Sequence, residues 1–332
     1  MSGPTEYTSE TGRVPVIDIQ NLSVEFRTRS GVVKALENVS LNAFKGEIVG
    51  IVGESGSGKS VSAMTAMGIL DPAGQVTQGS ITLTGLDVLN ASAATLQEAR
   101  GHQASMIFQS PRTALNPIRT VGKQIGDVLR RHGSATRSTA RAKAIAALES
   151  VRIPDPQRRF DAYPFELSGG MCQRIMIAMA LACAPELLIA DEPTTGLDVT
   201  TQAAIMDLIT DLARDRNMAT LLITHDLAMA ADYCDRIVVM HAGHVVESAP
   251  TRTLFAHPRH PYTAKLMQAT PRGSGSLDDI SSIDGSLPDL RGALPPSRFS
   301  QRCERYESAC DEAPLPLSAL DDGASVACRR PL

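Results

Sequence analysis

The 332-residue chain has no tryptophan, and Phe and Tyr bring the aromatics to only 4%. That removes one class of aromatic anchor and little else. Neither charge dominates: 32 basic against 36 acidic residues leave a net charge of −4. No global basic field therefore exists for nucleic acid or an anionic lipid surface, and no nucleic-acid partner is expected. No apolar run is long enough to cross a bilayer. The longest, Ile175 to Ala184, stops at Pro185-Glu186 and suits a buried helix. The N-terminus shows no charged n-region, apolar h-region or cleavage site, so no secretory signal is expected. Without one, six cysteines point to a reducing compartment rather than a disulfide framework. Internal repeats are absent. What remains, 43% apolar and 20% charged residues, is ordinary for a globular chain of one large or two modest domains.

Against that plain background one stretch stands out. Gly53-Glu54-Ser55-Gly56-Ser57-Gly58-Lys59-Ser60 fits the phosphate-binding pattern G-x-x-x-x-G-K-[ST]. The apolar run Ile48 to Val52 before it reads as a buried strand. Ser60 through Leu70 after it reads as a helix stopped by Asp71-Pro72. Glycines let backbone amides turn toward phosphate oxygens, and the helix N-terminus adds partial positive charge. Lys59 would reach the β- and γ-phosphates, and the Ser60 hydroxyl would ligate magnesium. The nucleotide set is then Gly53, Ser55, Gly56, Ser57, Gly58, Lys59, Ser60 and the position after it, Val61. Phe26, upstream at a strand end, either stacks on a purine or is a core aromatic.

Residues 1–13 read as a flexible polar tail. Val16 to Phe26 and Val39 to Phe44 alternate as strands, with Arg29-Ser30-Gly31 as the turn between them. Ile81 to Leu83 reads as a further strand. Gln109 ends the short apolar run from Met106. An amide there is usually a turn residue, but beside a magnesium nucleotide it could ligate the metal or orient water. Residues 121–151 carry apolar positions at helical spacing and predict two amphipathic helices broken at His132-Gly133-Ser134. Their Arg and Lys are read as a solvated face.

Ser168-Gly169-Gly170 opens the apolar helix 172–184, a second anion-binding geometry that alone is often a plain turn. Leu187 to Ala190 reads as a buried strand ending at Asp191-Glu192. Asp191 fits the Walker-B carboxylate that serves magnesium, and Glu192 is placed to polarise an attacking water. Residues 199–216 predict a helix and Thr220 to Ile223 a strand ending near His225, which either contacts a γ-phosphate or is structural, as a lone histidine more often is. Ile237 to Met240 and His244 to Glu247 predict a hairpin turning at Ala242-Gly243. From 271 the composition turns to Gly, Ser, Asp and Pro, and 271–296 reads as a linker. The remaining 297–332 gathers Cys303, Cys310 and Cys328. They are candidate soft ligands for a metal or iron–sulfur cluster, or simply reduced thiols, since no C-x-x-C pair occurs.

In this order the motifs resemble the ATP-binding subunits of ABC transporters across residues 16–270. Gly53–Ser60 matches the Walker A, Gln109 the Q-loop, and Leu167–Met171 the LSGGx signature. Leu187–Asp191 matches the Walker B, Glu192 the catalytic glutamate, Thr195–Asp198 the D-loop and His225 the switch histidine. Within that family the chain resembles the peptide/nickel importers. The carriers are the wording of Gly53–Ser60, the Met in Ser-Gly-Gly-Met, and His257-Pro258-Arg259-His260-Pro261-Tyr262-Thr263. The tail is similar to the four-cysteine extension of that subfamily, which can bind a [4Fe–4S] cluster. Here Ser297 occupies the usual first cysteine, while Phe165 and Cys172 replace a common His and Arg.

The resemblance implies an α/β fold: a P-loop RecA-like ABC ATPase core over 14–270, with an antiparallel β-subdomain, an inserted helical subdomain at about 110–185, and a small C-terminal extension. It implies ATP and Mg2+ as ligands and Glu192, His225, Lys59 and Gln109 as the catalytic set. It also implies a second ABC ATPase subunit, a different chain, whose signature completes the ATP site. Two transmembrane permease subunits and an extracytoplasmic solute-binding protein would follow, with this chain peripheral on the cytoplasmic face. The rival readings are a non-transport ABC ATPase on nucleic acid or ribosomes, and a metal-sensing protein built on the cysteine tail.

Overall fold

The computed structural model describes residues 13–270 and 283–332. Most of the expected tail, and the first part of the expected linker, lie outside the described residues.

Strands β1 (Ile17–Thr28) and β2 (Gly31–Ala43) form a hairpin closed by the pair Thr28 and Gly31. Their burial alternates along the chain because one face covers a core and the other meets water. The next strand, β3 (Ile48–Val52), is buried at all five positions. It ends in the phosphate loop, and α1 (Lys59–Ala66) follows. This helix is shorter than the expected run to Leu70. Gly68 takes φ +63 and donates to Thr65 O, and Ile69 N donates to Met64 O. That pairing is a left-handed glycine stop, which acts before Asp71-Pro72 is reached.

β4 (Gly74–Leu83) then returns along β1, and β5 (Leu86–Asp87) edges it. The small antiparallel sheet runs β2-β1-β4-β5. β4 begins seven residues before the apolar Ile81-Thr82-Leu83 that marks it in the sequence. Its first half is mostly exposed, so pairing with β1, not an apolar pattern, makes it strand. Helix α2 (Ala93–Ala99) leads to β6 (Ala104–Ile107).

Between β6 and the next strand, β7 (Leu187–Asp191), the chain builds only helices. They are α3 (Pro111–Ala114), α4 (Val121–Arg131), α5 (Ala140–Ser150), α6 (Pro156–Arg159) and α7 (Gly169–Leu181), with a 3-10 turn at Pro164–Glu166. Ile125, Leu129, Leu148, Phe160 and Ile175 pack together as their core. Each fully buried aliphatic there contributes about 2 kcal/mol. The charges on the outer face pair locally: Arg141 with Asp161 at 2.9 Å, and Arg130 and Arg119 with Asp127.

The larger sheet continues with α8 (Val199–Asp215), β8 (Ala219–Thr224), α9 (Leu227–Tyr233), β9 (Arg236–His241) and β10 (His244–Pro250). Strands β9-β3-β8-β7-β6 are parallel and apolar because both faces are covered, one by helices and the other by α1 and the small antiparallel sheet. β10 turns back antiparallel on β9. After α10 (Thr251–Ala256) and α11 (Pro261–Gln268), the extension adds two short strands, β11 (Ser318–Ala319) and β12 (Ser325–Val326). β12 pairs with β10, so the last residues complete the main sheet. Residues 283–296 form no helix, but they are tied down: Lys34 N donates to Leu290 O at 2.8 Å, and Val33 bridges Arg291.

Candidate functional site

The phosphate loop is an irregular turn at the carboxyl end of β3, where an open α/β sheet places its ligands. Gly53 and Gly58 have φ of +152 and +103. A Cβ on Gly53 would lie 2.1 Å from Met240 O, and one on Gly58 2.6 Å from Leu36 Cδ2. Both positions therefore need glycine for space as well as for backbone angle. Ser57 O accepts from Gly243 N at 2.9 Å, pinning the loop to the β9–β10 turn. The Ser57 hydroxyl is buried without a hydrogen-bond partner among the described residues, a donor left for a ligand. Ser55 and Gly56 are exposed at the rim, and Val61 packs into the apolar cluster under the loop.

Lys59 is 5% exposed, and its Nζ donates to Gly53 O at 2.8 Å and Glu54 O at 2.9 Å. Burial pushes its pKa down, while Glu192, Asp191 and Glu54 pull it back. Ser60 Oγ donates to Asp191 Oδ1 at 3.1 Å, so the two expected magnesium ligands already meet. Asp191 is pushed up by burial, opposed by the Ser60 hydrogen bond. An acid desolvated beside a hydroxyl is a natural cation ligand.

Glu192 gathers the rest. Gln109 Nε2 donates to its Oε2 at 2.9 Å, Thr195 Oγ1 donates to the same oxygen at 3.0 Å, and His225 Nδ1 lies 3.4 Å from Oε1. Its backbone takes φ +46, uncommon for a non-glycine, and its N–H donates to Ile223 O at 2.9 Å. Such a backbone is strained and is found where the surrounding structure holds it in place. Burial raises its pKa, but hydrogen bonds from Thr195 and His225 and the charges of His225 and Lys59 outweigh that, leaving it lowered. Lys59, Ser60, Gln109, Asp191, Glu192 and His225 thus occupy one linked cluster. Phe26 stands in register with Val33 and Gly74 and packs on the apolar core of the β-subdomain.

Ser168 caps α7, its Oγ accepting from Met171 N at 3.3 Å, and is exposed. Gly169 and Gly170 border Leu197 and Thr201. Asp198 caps α8, accepting from Thr201 N and Thr201 Oγ1 at 3.0 and 2.7 Å. Gln173 is buried and donates to Pro193 O, linking the signature helix to the turn after Glu192.

The motif at 257–263 is a staple between loop and extension. Glu247 is fully buried and accepts from Arg259 N at 2.7 Å and His260 N at 2.8 Å. His260 Nδ1 caps α11 by accepting from Tyr262 N. Tyr262 OH accepts from Glu54 N at 3.0 Å, and its ring meets His241 and Phe299. Glu54, Glu247, Gln173 and Arg302 were not singled out in the sequence. Arg302 lies 248 positions from Glu54, so no local pattern marks their pairing.

Cys303, Cys310 and Cys328 border one small cavity with Ser297. The thiols of Cys303 and Cys328 are pushed up by burial. Among the described residues no group of three or more His, Cys, Asp or Glu side chains could hold a metal ion. Of the two readings of these cysteines, the cluster finds no ligand set among the described residues. Cys172, Cys183 and Cys234 are buried in the core. Among the described residues no helix is long and apolar enough to cross a membrane.

Comparison with known proteins agrees with this geometry. Residues 36–195 match the ABC transporter family, and residues 246–310 match the C-terminal region of oligopeptide/dipeptide transporters. The chain is 47% identical to a probable D,D-dipeptide transport ATP-binding protein of Escherichia coli, over 96% of this chain and 97% of that protein. It is 45% identical to an oligopeptide transport ATP-binding protein of Haemophilus influenzae, over 95% and 97%. Among solved structures, a dimeric ATP-binding cassette, MJ0796, bound to ADP and Pi superposes with a TM-score of 0.64 at 28% identity. That match covers 71% of this chain and 99% of the cassette. With its α/β core, its phosphate loop and near-half identity along almost its whole length, this chain belongs to the ABC transporter ATP-binding family.

Proposed function

We propose that this chain is the ATP-hydrolysing subunit of an importer for peptides or related small solutes. The observation that carries the reading is the convergence of Lys59, the Ser60–Asp191 pair and the Gln109–Glu192–His225 cluster at adjacent strand ends. Amides of the loop from Gly53 to Ser60 would cradle the phosphates, with Lys59 neutralising the β- and γ-oxygens and Phe26 meeting the purine. Ser60 and Asp191 would hold magnesium, which supplies charge stabilisation in phosphoryl transfer. Glu192, lowered and ionised, would take the proton of the attacking water. His225 would contact the γ-phosphate, and Gln109 would orient water.

One phosphate loop leaves the γ-phosphate open on one side. The exposed N-terminus of α7, with Ser168, Gly169 and Gly170, would offer an anion site to a neighbouring chain. In a head-to-tail pair each would cap the other's nucleotide. ATP then favours the closed pair, and hydrolysis removes the anion that holds it shut. The names of the relatives support peptide transport. A second ATPase chain, two permease subunits and a binding protein would be the partners, and the cytoplasmic membrane face the place of work.

The test is co-purification with the membrane subunits, then ATP turnover in liposomes with different ligand-loaded binding proteins. Stimulation by a peptide-loaded binding protein is expected. ATP turnover that responds to RNA or ribosomes and not to any loaded binding protein would overturn the reading.

A further inference from the structure

The phosphate loop is gripped from outside by the C-terminal extension. Arg302 sits at the end of the 3-10 turn Ser300–Arg302, its side chain 4% exposed. Its Nη1 and Nη2 donate to Glu54 Oε2 and Oε1 at 2.8 and 2.9 Å, a two-pronged pair. The same guanidinium donates to Asp284 O at 2.9 Å and approaches His241 Nε2 at 3.4 Å, so it is held on several sides. Glu54 is the second residue of the loop, and its N–H is already taken by Tyr262. Leu287, from the segment before the extension, lies over Gly56.

The electrostatics give this grip a role. Glu54 places a carboxylate inside a loop whose task is to receive a polyanion, and nothing in phosphate binding calls for it. Left bare and partly buried, that charge would repel the ligand across a short, poorly screened distance. Arg302 neutralises it, and the planar fork fixes the direction of the Glu54 backbone. We propose that Arg302 is a positioning residue of the ATP site: through Glu54 the C-terminal extension shapes and discharges the phosphate loop, and so sets ATP affinity. This rests on the phosphate-loop reading above.

The test is equilibrium titration of the full chain with a fluorescent ATP analogue and magnesium. Arg302→Ala is expected to weaken binding about tenfold. Arg302→Ala combined with Glu54→Gln is expected to recover to within about threefold of the unaltered chain, because the bare carboxylate is gone. Unchanged affinity in Arg302→Ala, or a double variant no better than the single one, would overturn the inference. Arg302→Gln, alone and with Glu54→Gln, carries the same comparison if the alanine variant does not fold. Lys59→Ala is run beside them. Lost binding there with unchanged Arg302→Ala rejects only the role of Arg302, whereas retained binding in Lys59→Ala rejects the phosphate-loop reading itself.

Discussion

Ser60 Oγ donates to Asp191 Oδ1 at 3.1 Å, joining the start of one helix to the end of a strand 131 positions away. Two neighbouring parallel-sheet connections are needed to bring them together: β3 pairs β8, and β8 pairs β7. The site is therefore a property of the strand order, and disturbing either strand end should be felt at the other.

Glu192→Gln removes the proposed proton acceptor but keeps the shape that Gln109 and Thr195 contact. Phosphate release should fall by about a hundredfold or more. ATP should still bind, and sedimentation with ATP should show a persistent dimer. Turnover at the unaltered rate would remove Glu192 from its role.

Lys59→Ala deletes a buried cation whose Nζ donates to two loop carbonyls. Loss of one charge-assisted contact to phosphate predicts ATP affinity weaker by on the order of a hundredfold. Isothermal titration with Mg-ATP measures this directly.

Ser168→Arg puts a long side chain on the exposed cap of α7, far from the chain's own loop in function but facing a partner's in the proposed pair. ATP binding by the isolated chain should stay within about twofold, while ATP-dependent dimerisation is lost. Normal dimerisation in light scattering would contradict the trans arrangement.

Gly53→Ala should be more damaging than Gly56→Ala. Its Cβ would meet a backbone oxygen at 2.1 Å, while that of Gly56 would meet only Leu287 Cδ1 at 3.5 Å. The difference should be roughly 1–3 kcal/mol in urea denaturation, since both share the positive-φ strain.

His260 gives the fold a pH limit. Burial holds its imidazole down to about 3, against an ordinary 6.5, and its Nδ1 must stay unprotonated to accept from Tyr262 N. The unfolded chain takes up the proton first. Its contribution is thus fully present above pH 6.5 and is lost as pH falls from 6.5 toward 3. Between pH 6.5 and 5 this one group should cost about 2 kcal/mol. His260→Asn keeps a capping acceptor without the titration, so its urea midpoint should vary less between those pH values.

Much of the core was legible because it is local. Strands β3, β7 and β8 are runs of consecutive apolar residues, and the hairpin of β9 and β10 announces its turn at Ala242-Gly243. The helices at 121–131 and 140–150 follow from apolar spacing and the break at Gly133. β4 was legible only over its last three residues, because its first half is polar and held by pairing with β1. The end of α1 was misplaced because a left-handed Gly68 stops a helix as firmly as a proline does.

By itself the sequence determined which groups are candidates: a glycine-lined loop with one lysine, an acid pair after an apolar strand, and a serine-glycine helix start are each marked by residue type and spacing. Only the tertiary structure decided what those groups do to one another. It put Gln109, Thr195 and His225 on one carboxylate, and it clamped Glu54 with Arg302. It also left the cysteines of the extension without a ligand set among the described residues. The reason is physical. Backbone turns and burial patterns act over a few residues and are written in neighbours, whereas a hydrogen bond between residues 248 positions apart depends on where every intervening strand and helix has come to rest.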